Sequence, residues 1–356
     1  MNMKITIEKA STLKAKPEPN ELGFGKYLSD HMFMMNYSAD KGWYDPRVVP
    51  YQPLSLDPAA LVLHYNQEVF EGLKAYLLEN GRIGLFRPEK NIERFNRSAE
   101  RMCMPSVDPE IFMEGLKQLI LLDKEWIPSL PGTSLYIRPT MIATEAALGV
   151  RPSTEYLFYI IVGPVGAYYP EGFGPTRIFV TDEYVRAADG GAGQAKTSGN
   201  YGPTIFVTQE VIKKGYAQVL WLDAKERKYI EEVGTSNIFF LIDDELVTPP
   251  LEGTILGGIT RDSVIHLAKQ WGYKVTERKI AIDEVIEANK NNSLSEVFAS
   301  GTAAVISPVG EFCYQSENYI INNSQTGQLA KKLFDTMMAI QYGQIEDENN
   351  WSYRIE

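Results

Sequence analysis

One charged side chain, Lys196, sits in GGAGQAKTSGNYGP, a run of small residues from Gly190 to Pro203. Two chemistries use a lysine in such a setting. In a phosphate loop, backbone N–H groups cradle phosphates while the lysine reaches the outer ones. Residues 190–197 read GGAGQAKT and miss G-x-x-x-x-G-K-[ST] by one residue, because Ala195 stands where the second glycine belongs. In the other chemistry the amine itself reacts, forming a Schiff base with an aldehyde once desolvation or neighbouring cations lower its pKa. A phosphate loop needs a buried strand before it and a helix directly after the lysine. Here DEYVRAAD before the run is polar, and TSGNYG after the lysine is loop chemistry, so a helix starts no earlier than Pro203. A solvated surface lysine is the ordinary alternative. Against it, the glycines, Ala192 and Ala195 are too small to cover anything and let another body approach the backbone.

An aldehyde cofactor such as pyridoxal phosphate makes three further demands. Its ring nitrogen needs an acidic partner that keeps it protonated. Its phosphate needs a helix N-terminus and an arginine, and its ring hydroxyl needs a donor. YIEEVGTSNIFF carries Glu231 and Glu232 in a strand, where neighbours point to opposite faces, so that one is buried and the other solvated, or both are solvated. GTILGGITRDSVIHLAKQWG offers Gly257-Gly258, then Thr260 as N-cap of an amphipathic helix. Arg94, Arg97 and Arg101 are spaced i, i+3, i+7; one could reach a phosphate, and a solvated stripe accounts for at least two. Tyr201 lies five residues past the lysine and could reach the ring hydroxyl.

The elements that must position these groups follow from pattern. LVLHYN, LKAYLL and RIGLFR read as strands, the last two joined by an Asn80-Gly81 hairpin turn. Ile92, Phe95, Ala99 and Met102 recur at helical spacing until Pro105, and 109–123 reads as a second helix. SLYIRPTMIAT and EYLFYIIVGPV are strands, followed by GAYYPEGFGP, a composition shift that marks a linker at 167–176 between domains 1–166 and 177–356. The second half carries strands at RIFVTDE, QVLWLD and SEVFASGTAAVISP. It also has a hairpin through Asp243-Asp244 and helices at 203–214 and 261–271. Strands and helices do not alternate strictly, which predicts an α+β (mixed α/β) fold.

The bulk numbers exclude several classes. The chain of 356 residues has 35 basic and 46 acidic side chains, a net charge of −11. That disfavours nucleic acid and anionic membranes as partners. The three histidines, His31, His64 and His266, lack partners at metal-ligand spacing, so no metal is expected. Cys103 and Cys313 are too far apart for a redox pair and suit a reducing cytoplasm. The start has no apolar h-region, so no signal peptide is expected, and LFYIIVGPVGAYY is too short for a membrane span.

KTSGNYGP, EEVGTSNIFF, GGITR and FASGTAA resemble the fold-type IV pyridoxal phosphate enzymes, whose two-domain fold is that of D-amino acid aminotransferase. GFGKYLSDHMFMM, LHYNQEVFEGLKAY, FRPEKNIERFNRSAERMCMP, SLYIRPT and VGPVGAYY narrow the resemblance to the branched-chain amino acid aminotransferases in their longer form. The resemblance runs from about Gly23 to about Gly343. It implies reversible ping-pong transamination of leucine, isoleucine and valine with 2-oxoglutarate, giving glutamate, by a cytoplasmic homodimer.

It also implies roles. Lys196 would carry the Schiff base and then serve as acid–base, and Glu232 would bind the ring nitrogen. Tyr201 would bond the ring hydroxyl, while Arg94, Ile259, Thr260 and Thr302 would hold the phosphate. Thr302 and Ala303 N–H groups would receive the substrate carboxylate. Phe24, Tyr65, Phe70, Tyr136, Tyr168 and Thr235 would line the side-chain pocket, with Arg138 for glutamate's second carboxylate. Ala304 and Ser307 stand where some animal relatives carry Cys-x-x-Cys, so thiol control there is not expected. The rivals are a D-amino acid aminotransferase, an aminodeoxychorismate lyase, a non-catalytic metabolite-binding module and a nucleotide binder built on GGAGQAKT.

Overall fold

The computed structural model describes residues 3–79, 81–166 and 173–355. The chain divides into two compact units, the first comprising Met1–Pro170, Ala195–Ser198 and Ala339–Glu356, the second Glu171–Gln194 and Gly199–Met338. Lys196 and the C-terminal stretch thus belong to the first unit. Most of the expected linker at 167–176 lies outside the described residues, as do Tyr168 and Asn80.

The first unit contains β1 (Thr6–Ile7), β2 (His31–Ser38), β3 (Gly42–Pro50), α1 (Leu61–Tyr65), β4 (Glu68–Phe70), β5 (Leu73–Leu77) and β6 (Ile83–Phe86). Then come α2 (Pro88–Arg101), α3 (Pro109–Leu122), β7 (Ser134–Ala143) and β8 (Glu155–Val165). Its sheet runs β1-β3-β2-β8-β7-β5-β6 and ends on the C-terminal strand Ser352–Ile355, with β4 beside β7. β7 and β8 alternate apolar and mixed positions and pair from Ser134↔Val165 to Ala143↔Tyr156. LVLHYN departs from the strand expectation. Leu61 N–H donates to Glu145 O, and Asn66 at φ 52° ends a short helix. An apolar run this short fits either period, and the packing decides.

α2 begins with Pro88 in its first turn, where a missing N–H costs nothing. It buries Ile92, Phe95 and Ala99, and Arg94 with them, while Arg97 and Arg101 face solvent. α3 is capped by Asp108, whose carboxylate accepts the Glu110 N–H at 2.8 Å. Phe95, Phe112 and Phe158 meet between these helices and the sheet at centroid separations of 4.9–5.4 Å.

The second unit contains β9 (Thr176–Thr181), α4 (Thr204–Lys213), β10 (Gln218–Leu222), β11 (Ile230–Val233), β12 (Asn237–Ile242) and β13 (Glu245–Thr248). Then come α5 (Ile259–Gln270), β14 (Lys274–Glu277), α6 (Ile282–Lys290), β15 (Leu294–Gly301), β16 (Val305–Tyr314), β17 (Glu317–Ile320) and α7 (Gln328–Gln341), within which the division falls. β18 is Ser352–Ile355 of the first unit. The second sheet runs β11-β10-β9-β16-β15-β12-β13-β14, with β17 beside β16. Asp243 (φ 48°) and Asp244 (φ 63°) turn the β12–β13 hairpin with the left-handed pair that a two-residue turn requires. Both sheets mix parallel and antiparallel pairs and pack helices, so the α+β expectation matches the architecture. No described helix is long and apolar enough to cross a membrane.

Candidate functional site

The candidate residues fall into two sets, one in each unit. In the first unit Lys196 is fixed through its backbone: its N–H donates to Ser98 Oγ at 2.9 Å, and its carbonyl accepts the Phe70 N–H at 3.0 Å. The ammonium lies 4.7 Å from the Phe70 ring centroid. The Arg138 guanidinium covers the same ring at 4.9 Å and donates to Tyr136 Oη at 2.8 Å. Phe24 meets the Tyr136 ring edge-on at 4.9 Å. Gly72 is required here, because a Cβ on it would stand 2.2 Å from Tyr136 Oη. Phe24, Phe70, Tyr136, Arg138 and Lys196 are therefore one cluster of rings and cations. Tyr65 is exposed, and its hydroxyl donates to Leu148 O at 2.5 Å.

Behind Lys196 lies a buried ion pair that sequence reasoning missed in part. Arg94 donates to Glu71 through Nε at 2.6 Å and Nη2 at 2.9 Å. Asn91 Nδ2 and Gly72 N–H complete the carboxylate's acceptor set at 2.8 and 3.0 Å. Burial opposes ionisation of Glu71, but Arg94, Lys196 and Asn91 outweigh it and hold the carboxyl below its ordinary range. The one clue to Glu71 in the sequence is a lone charge inside the otherwise uncharged run VFEGL. Thr197 Oγ1 and Ser198 Oγ, next to the lysine, are buried hydroxyls with no partner among the described residues.

In the second unit both Glu231 and Glu232 are buried, which corrects the expectation that at least one is solvated. β11 lies in a sheet covered on both faces, so alternation does not deliver a carboxylate to water. Glu232 Oε1 accepts the Leu256 N–H at 2.7 Å, and Oε2 lies 3.1 Å from Arg186 Nε. For Glu231 burial outweighs the Thr254 hydroxyl and the Arg186 charge and raises the pKa, and its Oε2 has no partner among the described residues. Arg186 was not singled out, though it stands four residues ahead of the glycine run.

Helix α5 has Gly258, not Thr260, at its N-cap, and no side chain caps it. The reason is space: a Cβ at Gly258 would stand 2.1 Å from Asn237 Oδ1, so the turn admits neither a capping side chain nor a larger residue. Ile259 and Thr260 are buried in the first turn. An uncapped first turn presents backbone N–H groups to an anion. Thr302 and Ala303 form the turn between β15 and β16, closed by the Gly301↔Val305 pair. Val305 takes φ 62°, a left-handed value that strains a β-branched residue. Tyr201 is half-buried, and its carbonyl accepts from Thr204 N–H and Oγ1 at the start of α4. Thr235 is exposed. After Lys196 comes a 3-10 turn (Ser198–Asn200), and α4 starts only at Thr204, so no helix follows the lysine directly as a phosphate loop needs. No group of three metal-ligating side chains occurs among the described residues.

The second unit has a buried carboxylate beside an arginine, chemistry that suits a pyridine nitrogen, and an uncapped helix start, which suits a phosphate; the first has buried hydroxyls beside a lysine, chemistry that suits an aldehyde. Residues 68–312 match the family model described as Amino-transferase class IV. The chain is 59% identical over 351 residues to branched-chain-amino-acid aminotransferase 2 of Bacillus subtilis (strain 168), covering 99% of this chain and 97% of that one. The branched-chain amino acid aminotransferase structure from Escherichia coli superposes with TM-score 0.76 at 26% identity, covering 92% of this chain and 99% of that one. The T.th. branched-chain amino acid aminotransferase complexed with N-(5'-phosphopyridoxyl)-L-glutamate superposes with TM-score 0.73 at 25% identity, covering 94% of this chain and 99% of that one. The chain belongs to the class IV aminotransferases and, within them, to the branched-chain amino acid aminotransferase family.

Proposed function

We propose that the protein is a pyridoxal phosphate-dependent transaminase that moves the amino group of L-leucine, L-isoleucine or L-valine to 2-oxoglutarate, giving the branched-chain 2-oxo acid and L-glutamate. The observation that carries this reading is Lys196, fixed by its backbone against Ser98 and Phe70 in a chain 59% identical to a branched-chain enzyme. When bound, the cofactor supplies an aldehyde that holds the amino group between substrates and a ring that takes up the electrons freed at Cα.

The chain's own residues do the rest. Lys196 Nζ would hold the cofactor covalently through its aldehyde carbon and, once released, would move the proton at the substrate Cα. Glu232 keeps the ring nitrogen protonated, and Tyr201 bonds the ring hydroxyl. Arg94, with the α5 first turn at Ile259 and Thr260 and with Thr302, holds the phosphate. N–H groups of Thr302 and Ala303 receive the substrate carboxylate. Phe24, Tyr65, Phe70, Tyr136, Tyr168 and Thr235 exclude water from an aliphatic side chain, whose gain is buried apolar area. Arg138 meets the second carboxylate of glutamate. The same site serves both half-reactions in turn, so the kinetics are ping-pong. The enzyme works as a homodimer, a reading supported by the resemblance and tested by sedimentation velocity, and the two distant cysteines suit the reducing cytoplasm.

The assay is direct. Purified protein with pyridoxal phosphate, an L-branched-chain amino acid and 2-oxoglutarate yields glutamate at rates that give parallel lines in double-reciprocal plots. Glutamate formation with D-leucine and none with L-leucine would replace this reading by the D-amino acid rival.

A further inference from the structure

Arg186 is unused in the roles above, yet it sits at the junction of three segments of the second unit. Its side chain is 5% exposed, and that of Glu232 is 3% exposed. Nε lies 3.1 Å from Glu232 Oε2. Nη2 donates to Gly193 O at 3.2 Å and to Thr254 O. Gly193 lies flat against the same turn: a Cβ on it would stand 2.4 Å from Thr254 O. Two residues beyond, Leu256 N–H fills the other oxygen of Glu232. One guanidinium thus ties together the glycine run three residues ahead of Lys196, the turn at Thr254–Leu256 and the buried carboxylate.

We propose that Arg186 is a positioning residue that sets the charge state of Glu232 and fixes the glycine run leading to Lys196. A guanidinium has no neutral form in proteins, so this corner of the unit holds a permanent positive charge. Beside it a buried carboxylate stays ionised, where burial alone would drive it to take up a proton. The inference rests on the reading that Glu232 pairs with the cofactor's ring nitrogen. With Arg186 in place the carboxylate is a weak base, and the shared proton stays on the ring. Without Arg186 the carboxylate becomes more basic and takes that proton for itself. The two carbonyl contacts are a separate function of the same group, since only a planar fork reaches Glu232, Gly193 and Thr254 at once.

The test uses the full-length protein loaded with pyridoxal phosphate and three variants, Arg186→Met, Arg186→Lys and Glu232→Gln. Three quantities are read: cofactor affinity by absorbance titration, the pH midpoint of the visible band, and protease cleavage within residues 187–194. Arg186→Met moves the midpoint upward by about one pH unit or more, because one positive charge fewer sits on the ring. It weakens cofactor affinity about tenfold or more and opens the glycine run to cleavage. Arg186→Lys keeps the charge without the fork, so the midpoint stays and the cleavage appears. A wild-type midpoint and affinity in Arg186→Met overturn the proposal, whatever its melting temperature, because a purely structural arginine would move only the latter. Should Arg186→Met fail to fold, wild-type protection and affinity in Arg186→Lys overturn it instead. Glu232→Gln separates the two readings. A shift there with none in Arg186→Met refutes the role of Arg186 alone. A wild-type midpoint in Glu232→Gln refutes the Glu232 assignment and the electrostatic half of the proposal, and loop cleavage in Arg186→Met then decides the other half.

Discussion

The two units each bury one arginine–glutamate pair, and the pairs are built in opposite senses. In the first unit the carboxylate of Glu71 accepts four bonds, from Arg94 Nε and Nη2, Asn91 Nδ2 and Gly72 N–H. A carboxylate has about four acceptor sites, so Glu71 is filled and can only hold Arg94. In the second unit the roles reverse. Arg186 donates through Nη2 to Gly193 O and Thr254 O and faces Glu232 only as a charge, its Nε 3.1 Å from Oε2 without a hydrogen bond. The pairs look alike as charge pairs, yet one presents a held cation and the other a held anion. The arginine is the proposed phosphate ligand and the glutamate the proposed partner of the ring nitrogen. What separates holder from held is which partner is anchored by other hydrogen bonds, to Asn91 and Gly72 N–H for Glu71 and to Gly193 O and Thr254 O for Arg186, and charge alone does not reveal it.

The comparison breaks first if Glu71 is not an anchor. Glu71→Ala leaves Arg94 buried without its main partner and should cost about 3–5 kcal/mol of stability in urea unfolding. A loss below about 1 kcal/mol would mean that Arg94 finds another partner or water. Glu232→Gln removes a charge whose proposed role is chemical. Turnover should fall about 100-fold or more with the cofactor still bound, and wild-type turnover would assign the ring nitrogen to another group. The folded Glu71 carboxyl titrates below its ordinary value of 4.5, so its stabilisation is full above that value and is lost as pH falls below it.

Glu231 sharpens the contrast with the opposite sign and the smallest effect. Burial raises its folded pKa above 4.5, so its contribution is full below that value and is lost as pH rises through the folded value. Glu231→Gln should therefore stabilise the protein at neutral pH, on the order of 1 kcal/mol, because it removes the cost of a buried charge. The advantage should shrink toward pH 4.5, read as melting temperature against pH. A destabilised variant at neutral pH would mean that Glu231 is paired as an anion.

The sequence made some of this legible and hid the rest for physical reasons. β7, β8 and α3 announce themselves by period, and the Asp243-Asp244 hairpin by its turn residues. Lys196 stands out because small residues around a lysine are unusual chemistry, whereas spacing leaves Arg94 as one of three arginines on a helix and only the resemblance picks it out. Its burial depends on Glu71, 23 positions away, and no local pattern encodes a partner at that distance. Arg186 was hidden for the same reason. The helix cap was misplaced because Thr260 has the better capping chemistry, while the crowding of Gly258 by Asn237 exists only once β12 is in place. Glu231 and Glu232 defeated alternation because both faces of β11 are covered.

Lys196 as the reactive amine is the central claim, and absorption spectroscopy tests it most directly. Wild-type protein and Lys196→Ala are each incubated with pyridoxal phosphate, then given L-leucine, then 2-oxoglutarate. In the wild type a visible band should form, bleach with L-leucine and return with 2-oxoglutarate, while Lys196→Ala should form no covalent complex that survives borohydride reduction and should not turn over. A borohydride-fixed cofactor and full turnover in Lys196→Ala would place the chemistry on another residue.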